Sequence, residues 1–412
     1  MCGDAVSAAR SPATKCAVQS IITNRFTTSN RVGQLRAGGD CRLPLRALYS
    51  DPHRPWGLWA GLGKRVVEDF RQIIARDQAK APFFVGVDLG GTNIKVGVVD
   101  DEGRTLLKRK QPTNSPAGPE DGARRMGQAV CDALAELGLK PDDVPRVGLG
   151  SPGTMDVPAG MLLEPHNLQG WFDFPIRDRV AEHSGFPVSF ANDANAAAFG
   201  EYWVGAGSDY TSMVMLTLGT GIGCGIIIDD LLIDGENSHG AECGHIIIDL
   251  DDDARVCGCG QPGHLEAYCS APHVVRRTEE TLAGGRASTL RARIAAGQTL
   301  TPLMLAEEAE SGDAVSREIV LETARFLGIG IVTLLHTIDP AGVVLGGAMT
   351  FGRNEAPLGR AFRERIEEEI RRRAFPVIAE RIKLDYASLG GDAGYIGAAG
   401  IARRDWRKLA NA

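Results

Sequence analysis

Apolar residues in this chain gather in short runs, and the first three follow one another from Phe83. "FFVGVD" and "IKVGVV" are joined by "LGGTN", and "TLLKRK" follows a turn at Asp101-Glu102-Gly103. Short apolar runs bounded by glycine turns read as β-strands. Two more, "SMVMLTLG" and "GVVLGG", stand further along the chain. Strand-like and helix-like segments alternate to the C-terminus, which predicts an α/β architecture. "PLGRAFRERIEEEIRRRAF" has the spacing of a helix, with Glu367, Glu368 and Glu369 each four residues before an arginine. Such pairs support a solvated helix surface. Trp171 and Trp203 are expected to pack in the interior.

Two stretches repeat one another. "GVDLGGTNIKVGVVD" (86–100) and "MLTLGTGIGCGIIID" (215–229) each read strand, glycine turn, strand, with Asp88 to Asp100 and Thr217 to Asp229 equally spaced. A repeat separated by so much chain is not a solenoid period. It predicts two related lobes, each offering a glycine turn to a shared cleft. Chance recurrence of a glycine hairpin is the simpler alternative.

Residues 1–80 differ in texture and read as an N-terminal extension. Up to Ser50 they hold seven Lys/Arg against two Asp, a composition shared by transit peptides, mobile tails and start sites assigned too far upstream. Near the end, "LGKRVVEDFRQIIARD" places Val66, Val67, Phe70, Ile73 and Ile74 at helical spacing, which predicts a short helix leading into the first domain.

The chain has 412 residues and 43% hydrophobic content, enough for two ordinary domains. A net charge of −7 argues against a nucleic-acid partner held by phosphate contacts. No apolar run marks a signal peptide or a bilayer span, so no membrane partner and a cytoplasmic location are expected. Nine cysteines, an odd number, favour a reducing compartment. There the dense stretch "CGCGQPGHLEAYC" (257–269) reads as a metal site before a disulfide knot.

The glycine turns carry the first chemistry. Gly90 and Gly91 let backbone N–H groups approach an anion, Thr92 and Asn93 add donors, and Lys95 adds a positive charge. Asp88 is a carboxylate suited to Mg²⁺ or its water shell. A plain hairpin would explain the same residues. Gly219, Thr220 and Gly221 have the character to hold terminal phosphates from the opposite side. Gly346 and Gly347, in "VVLGGAM", end a strand where a flat ring could approach the backbone. In "FANDANAAAFGE" a strand-like run ends at Asn192-Asp193 and an alanine-rich helix begins. Asp193 there could accept a proton from a hydroxyl attacking a phosphoryl group, or simply cap the helix.

The chain from about 83 to 403 resembles the ROK family of sugar kinases. "DLGGTNIK", "GSPG", "ANDANAAAFGE", "TLGTGIGCGIII", "GAECGH", "CGCGQPGHLE" and "VVLGG" stand in the order that family has them. The resemblance implies a two-lobed actin-like ATPase (ribonuclease H-like) α/β fold with a duplicated lobe and an interlobe cleft. The first lobe would cover 81–191, joined by a C-terminal helix over 392–408, and the second 192–391. It implies ATP and Mg²⁺ as cofactors and a hexose as acceptor, with glucose the commonest substrate. Asp193 would be the general base. Asn192, Glu242, His245 and Glu266 would hold the sugar, Gly153 would let the chain approach it, and Asn167 is a weaker match.

The family's zinc pattern places a histidine in Glu-x-Gly-His, then Cys-x-Cys-Gly, then a third cysteine. His245, Cys257 and Cys259 match, but His264 stands at the third cysteine's position. Zn²⁺ takes imidazole as readily as thiolate in tetrahedral sites, so a structural Cys₂His₂ zinc site is expected. The alternatives are that Cys243 or Cys269 completes the set, or that the metal has been lost. Zinc would fix one ring nitrogen of His245 and leave the other to a sugar hydroxyl. Cys131 and Cys224 fit apolar faces, and His166, His183, His239 and His336 show no ligand spacing.

The resemblance thus implies a hexose kinase, with glucokinase activity and a cytoplasmic location expected, and a homodimer or homotetramer expected by analogy with the family. A kinase for N-acetylmannosamine, N-acetylglucosamine or fructose would share nearly every motif. A sugar-responsive repressor of the same family would need an N-terminal helix-turn-helix, and residues 1–80 show one helical period only.

Overall fold

The computed structural model describes residues 72–165 and 167–411. Most of the extension, including Cys2, Cys16 and Cys41, most of the helix expected over 62–77, and His166 lie outside the described residues. Within them Ile73–Ala75 is irregular and only Arg76–Gln78 turns, as a single 3₁₀ turn. This segment is already docked on the domain it precedes. Ile74 N–H donates to Thr105 O at 2.9 Å, and the Arg76 guanidinium donates to the Leu137 and Gly138 carbonyls at a helix C-terminus.

The chain then runs β1 (Phe84–Leu89), β2 (Asn93–Val99), β3 (Thr105–Pro112), α1 (Pro119–Leu137), β4 (Val147–Ser151), β5 (Thr154–Asp156), β6 (Met161–Glu164), α2 (Ile176–Ser184), β7 (Val188–Asn192) and α3 (Asp193–Val204). The second half continues as β8 (Ser212–Leu218), β9 (Ile222–Ile228), β10 (Leu231–Leu232), α4 (Glu266–Cys269), α5 (Ala271–Ala283), α6 (Leu290–Ala295), α7 (Pro302–Glu310) and α8 (Ala314–Ile338). It closes with β11 (Gly342–Gly347), α9 (Pro357–Arg373), α10 (Pro376–Arg381), β12 (Lys383–Tyr386) and α11 (Ala393–Ala410).

Two five-stranded sheets result, ordered β3-β2-β1-β4-β7 and β10-β9-β8-β11-β12. Each has a central strand, β1 or β8, with an antiparallel hairpin on one side and two parallel strands on the other. The internal repeat is therefore structural: β1-turn-β2 and β8-turn-β9 occupy equivalent places. Their registers differ by one residue. Leu89 faces Ile94 across the first turn, whereas Leu218 faces Ile222 across the second. The second glycine turn is one residue tighter.

The two largest hydrophobic clusters are separate. One joins the first sheet to α1 and α2, the other the second sheet to α5 and α7–α9. Trp171 is fully buried in the first, with Nε1 donating to Ser115 O, as expected of a packing residue. α8 is apolar enough by length and composition to cross a membrane, with a mean hydropathy of 1.6, and Val315, Val320, Leu327, Ile331 and Leu335 on it are buried in the second core. α9 forms where the spacing predicts it, with one difference from the expected solvated face. Glu369 is 1% exposed and turned toward α8, where Arg365 and Arg373 neutralise it.

α11 lies against the first sheet and α3, and glycines make the approach possible. A Cβ on Gly148 would stand 1.8 Å from Ala398 O, and one on Gly397 1.6 Å from Ala196 O. Between α3 and the loop before α11, buried Glu201 accepts hydrogen bonds from the N–H groups of Ala206, Ser388 and Leu389 and from the Ser388 hydroxyl.

Candidate active site

β1 and β8 end at the two glycine turns, and β4 and β7 deliver the loops beyond them, so the strand ends converge on one cleft of about 670 Å³. That volume is typical of a small-ligand site. Asp88, Lys95, Gly219, Thr220, Gly221 and Gly347 line it, as the motifs predict. Gly90, Gly91, Thr92, Asn93 and Gly346 do not. Gly90 and Asn93 close the first turn on each other at 2.9 Å, and Gly346 abuts Met215, which does reach the cleft.

At the cleft floor Asp88 is largely buried. Lys95 Nζ lies 3.2 Å from its carboxylate and 2.7 Å from Gly391 O. The N-terminus of α11 comes close enough that a Cβ on Gly394 would stand 2.6 Å from the Asp88 carboxylate. The positive end of the helix dipole thus faces the acid.

A second, smaller cavity of about 90 Å³ opens beside the first and shares Gly153, Asp193, Ala194 and Gly223 with it. Asn192, Glu242, Ser238 and His239 also line it. The space holds about three waters at roughly 30 Å³ each, less than a hexose. A sugar would therefore also occupy the adjoining cleft or part the walls. One wall is bridged: Val157 N–H, in the β5–β6 turn, donates to Ser238 Oγ at 2.9 Å.

Asp193 stands where the two cavities meet, at the first position of α3. The residue before it performs the capping. Asn192 Oδ1 accepts from Ala194 N at 2.8 Å and from Asn195 N at 3.4 Å. Asp193 Oδ1 also receives Ala194 N–H, and Oδ2 accepts from no other described residue. Burial raises the Asp193 pKa from its ordinary 3.8 to about 6, and the negative charges of Asp88 and Glu242 add to the rise. A carboxylate so placed is a competent proton acceptor near neutral pH.

The other expected sugar residues are distributed around this junction. Asn167 is exposed in the large cleft against Gly91, not in the small cavity. His245 and Glu266 stand behind Glu242 and the second glycine turn. His245 Nε2 is 4.0 Å from Glu242 Oε2, while Glu266 Oε2 accepts Ile222 N–H at 2.9 Å and Oε1 faces the Cys257 thiol at 3.5 Å.

Immediately beyond lies a cluster of four donors, His245, Cys257, Cys259 and His264, all within 4.8 Å of one another. The two Nδ1 atoms are 3.2 Å apart, Cys257 Sγ is 3.7 Å from His245 Nδ1, and Cys259 Sγ is 3.3 Å from His264 Nδ1. A tetrahedral zinc ion with ordinary bond lengths separates nitrogens by about 3.3 Å and nitrogen from sulfur by about 3.5 Å. The donor set fits. Cys243 is buried beside Cys224, and Cys269 Sγ donates to Thr323 O, so neither replaces His264. Tyr268 steadies the same hairpin, accepting Arg255 N–H at 2.9 Å and donating to Asp249.

Three site features escaped the sequence reading: the Ser238–Val157 bridge, His239 in the cavity wall, and Arg353 in the large cleft. None belongs to a motif or a spacing, so no local signal pointed to them.

The ROK family model matches residues 84–405. The glucokinase of Halalkalibacterium halodurans is 31% identical over 78% of this chain and 95% of its own. Among solved structures, a ROK hexokinase from Thermus thermophilus superposes with a TM-score of 0.66 at 33% identity, covering 79% of this chain and 99% of that one. A ROK glucokinase from Streptomyces griseus, in complex with glucose and AMPPNP, gives 0.60 at 34% identity, covering 78% and 99%. An N-acetylmannosamine kinase of Citrobacter koseri is 30% identical over 78% of this chain and 99% of its own. A xylose repressor of Caldicellulosiruptor bescii is 27% identical over 77% of this chain and 77% of its own.

Proposed function

This chain belongs to the ROK family, and from that premise we propose that it is an ATP-dependent hexose kinase that phosphorylates the 6-hydroxyl of glucose. The observation that carries the reading is the position of Asp193, where a nucleotide-sized cleft meets a smaller cavity lined by Asn192 and Glu242, with its proton affinity raised toward neutral pH.

In this reading the sugar lies with its 6-hydroxyl against the free oxygen of Asp193. As the hydroxyl oxygen attacks the γ-phosphorus, Asp193 accepts its proton, the bond from the γ-phosphorus to the β,γ-bridging oxygen breaks, and ADP leaves. Asn192, Glu242 and the backbone at Gly153 hold other hydroxyls. The Gly219–Gly221 turn receives the terminal phosphates, and Gly347 the adenosine end. Asp88 would hold the magnesium of Mg-ATP, which when bound offsets the charge of the phosphates. His245, Cys257, Cys259 and His264 would hold zinc, which when bound fixes the 257–266 loop and the His245 ring behind Glu242. Bringing the lobes together over the sugar would exclude water as a competing acceptor.

The near-equal identity to an N-acetylmannosamine kinase gives a second substrate reading its weight. The repressor reading has less support, since the xylose repressor's match leaves about a quarter of its own length uncovered. ADP release is the test, with glucose, fructose, mannose, N-acetylglucosamine and N-acetylmannosamine as acceptors, for wild type and Asp193→Asn. Turnover on glucose, lost in the variant, is the expected result. Turnover on another sugar alone would replace the substrate. Sugar binding with no turnover on any sugar would sink the kinase reading.

A further inference from the structure

The segment between β11 and α9 brings one cation into the large cleft, Arg353. Its backbone there is unusual. Phe351, Gly352 and Arg353 take φ values of 51°, 84° and 52° in succession, a left-handed run in which only the middle residue is glycine. Non-glycine residues are disfavoured in that region and persist where the surroundings hold them. Here three contacts do so. Phe351 is buried, its ring centroid 4.9 Å from that of Phe362. Arg353 N–H donates to Thr350 O at 3.0 Å. Gly359 sits so close that a Cβ on it would stand 2.0 Å from Arg353 O. The strained turn is therefore fixed, and it delivers Arg353 to the cleft beside Gly347 and Ala348.

The charges facing the cleft show what Arg353 could do there. Asp88, Asp193, Lys95 and Arg353 are the charged residues that line it. The Lys95 ammonium is engaged by Asp88 and Gly391 O. The Arg353 guanidinium makes no hydrogen bond or ion pair among the described residues. A nucleoside triphosphate would bring several negative charges into a space that already holds two carboxylates. A guanidinium offers a planar fork of donors that matches phosphate oxygens, and it keeps its charge at any working pH.

We infer that Arg353 is a donor-recognition residue whose guanidinium binds the phosphate chain of the nucleotide. This rests on reading the cleft as the nucleotide site, and it adds a residue that none of the family motifs contains. The strained turn fixes the backbone that carries Arg353 at the cleft, so its side chain alone remains to be ordered when the donor binds.

Titration calorimetry with ATP, ADP and adenosine, in the presence of Mg²⁺, tests the assignment on wild type, Arg353→Ala, Arg353→Lys and Arg353→Gly. Loss of a hydrogen bond to a charged group should weaken ATP and ADP about tenfold or more in the alanine variant, with adenosine unchanged. Lysine should recover part of the loss. Glycine, which suits the left-handed backbone, should repeat the alanine result with the fold intact. The KM for the sugar should not move. Equal weakening of adenosine and ATP would overturn the assignment, because the side chain would then be packing on the nucleoside. Unchanged ATP binding in all variants would overturn it as well. If the wild type itself takes up no ATP, the nucleotide reading of the cleft fails and takes this assignment with it; if the wild type binds ATP and the variants match it, only the assignment falls.

Discussion

Asp193→Asn should make the protein far less active and more stable at the same time. The pKa of Asp193 rises from 3.8 to about 6 on folding, so the folded state favours the protonated acid. Its contribution to stability is therefore fully present below pH 4, declines as pH rises toward 6, and is lost above that. At full burial the rise would correspond to about 3 kcal/mol. Asp193 keeps some exposure at the cleft, so about 3 kcal/mol is the upper bound on the effect. Asparagine keeps the shape and the acceptor for Ala194 N–H without the charge. Urea denaturation should therefore place the variant's midpoint above that of wild type at pH 8, and the two together near pH 4. Activity should move the other way, with kcat falling about 10²–10⁴-fold for loss of a general base. In wild type, kcat/KM should fall with acidification below pH 6, because the protonated acid cannot accept the hydroxyl proton. Equal midpoints at pH 8, together with a pH–rate break left near 4, would refute the argument from burial and neighbouring charge.

Further measurements bear on separate parts of the structure. Asp88→Asn removes one of the charges that raise the Asp193 pKa, so in any residual activity the acidic break should shift downward. Metal analysis of purified protein should find one zinc per chain, and Cys257→Ser should lose it and raise the sugar KM more than it lowers kcat. His264→Cys should retain zinc, since thiolate and imidazole are interchangeable in a tetrahedral set. Gly397→Ala should cost about 2–3 kcal/mol or prevent folding, because the added methyl meets the Ala196 carbonyl at 1.6 Å and two packed helices must separate to admit it. Glu201→Ala should cost about 3 kcal/mol, since it leaves several buried donors without their acceptor; chemical denaturation reads both.

Much of this molecule is legible in its sequence because local chemistry dictates it. Short apolar runs broken by glycine mark the hairpins at 84–99 and 212–228, since strand and turn preferences are set by neighbours in the chain. The crowded thiols of 257–269 point to a metal site and the family resemblance adds His245, and the four donors do meet. The repeat itself revealed the duplicated lobe, although not the one-residue difference in register, which depends on how each turn closes. Tertiary structure alone decided the rest. Nothing near Glu369 in the chain says that it faces α8 and not water, because burial depends on the partner helix. The division of labour at Asn192-Asp193, one capping and the other left with a free oxygen, depends on side-chain direction at a helix start. Asp193 and Glu242 share a cavity, and Asp193 and Arg353 a cleft, only because segments distant in sequence fold back on one another. A raised pKa and an unpaired cation are properties of the space so enclosed, and that space exists only once the chain has folded.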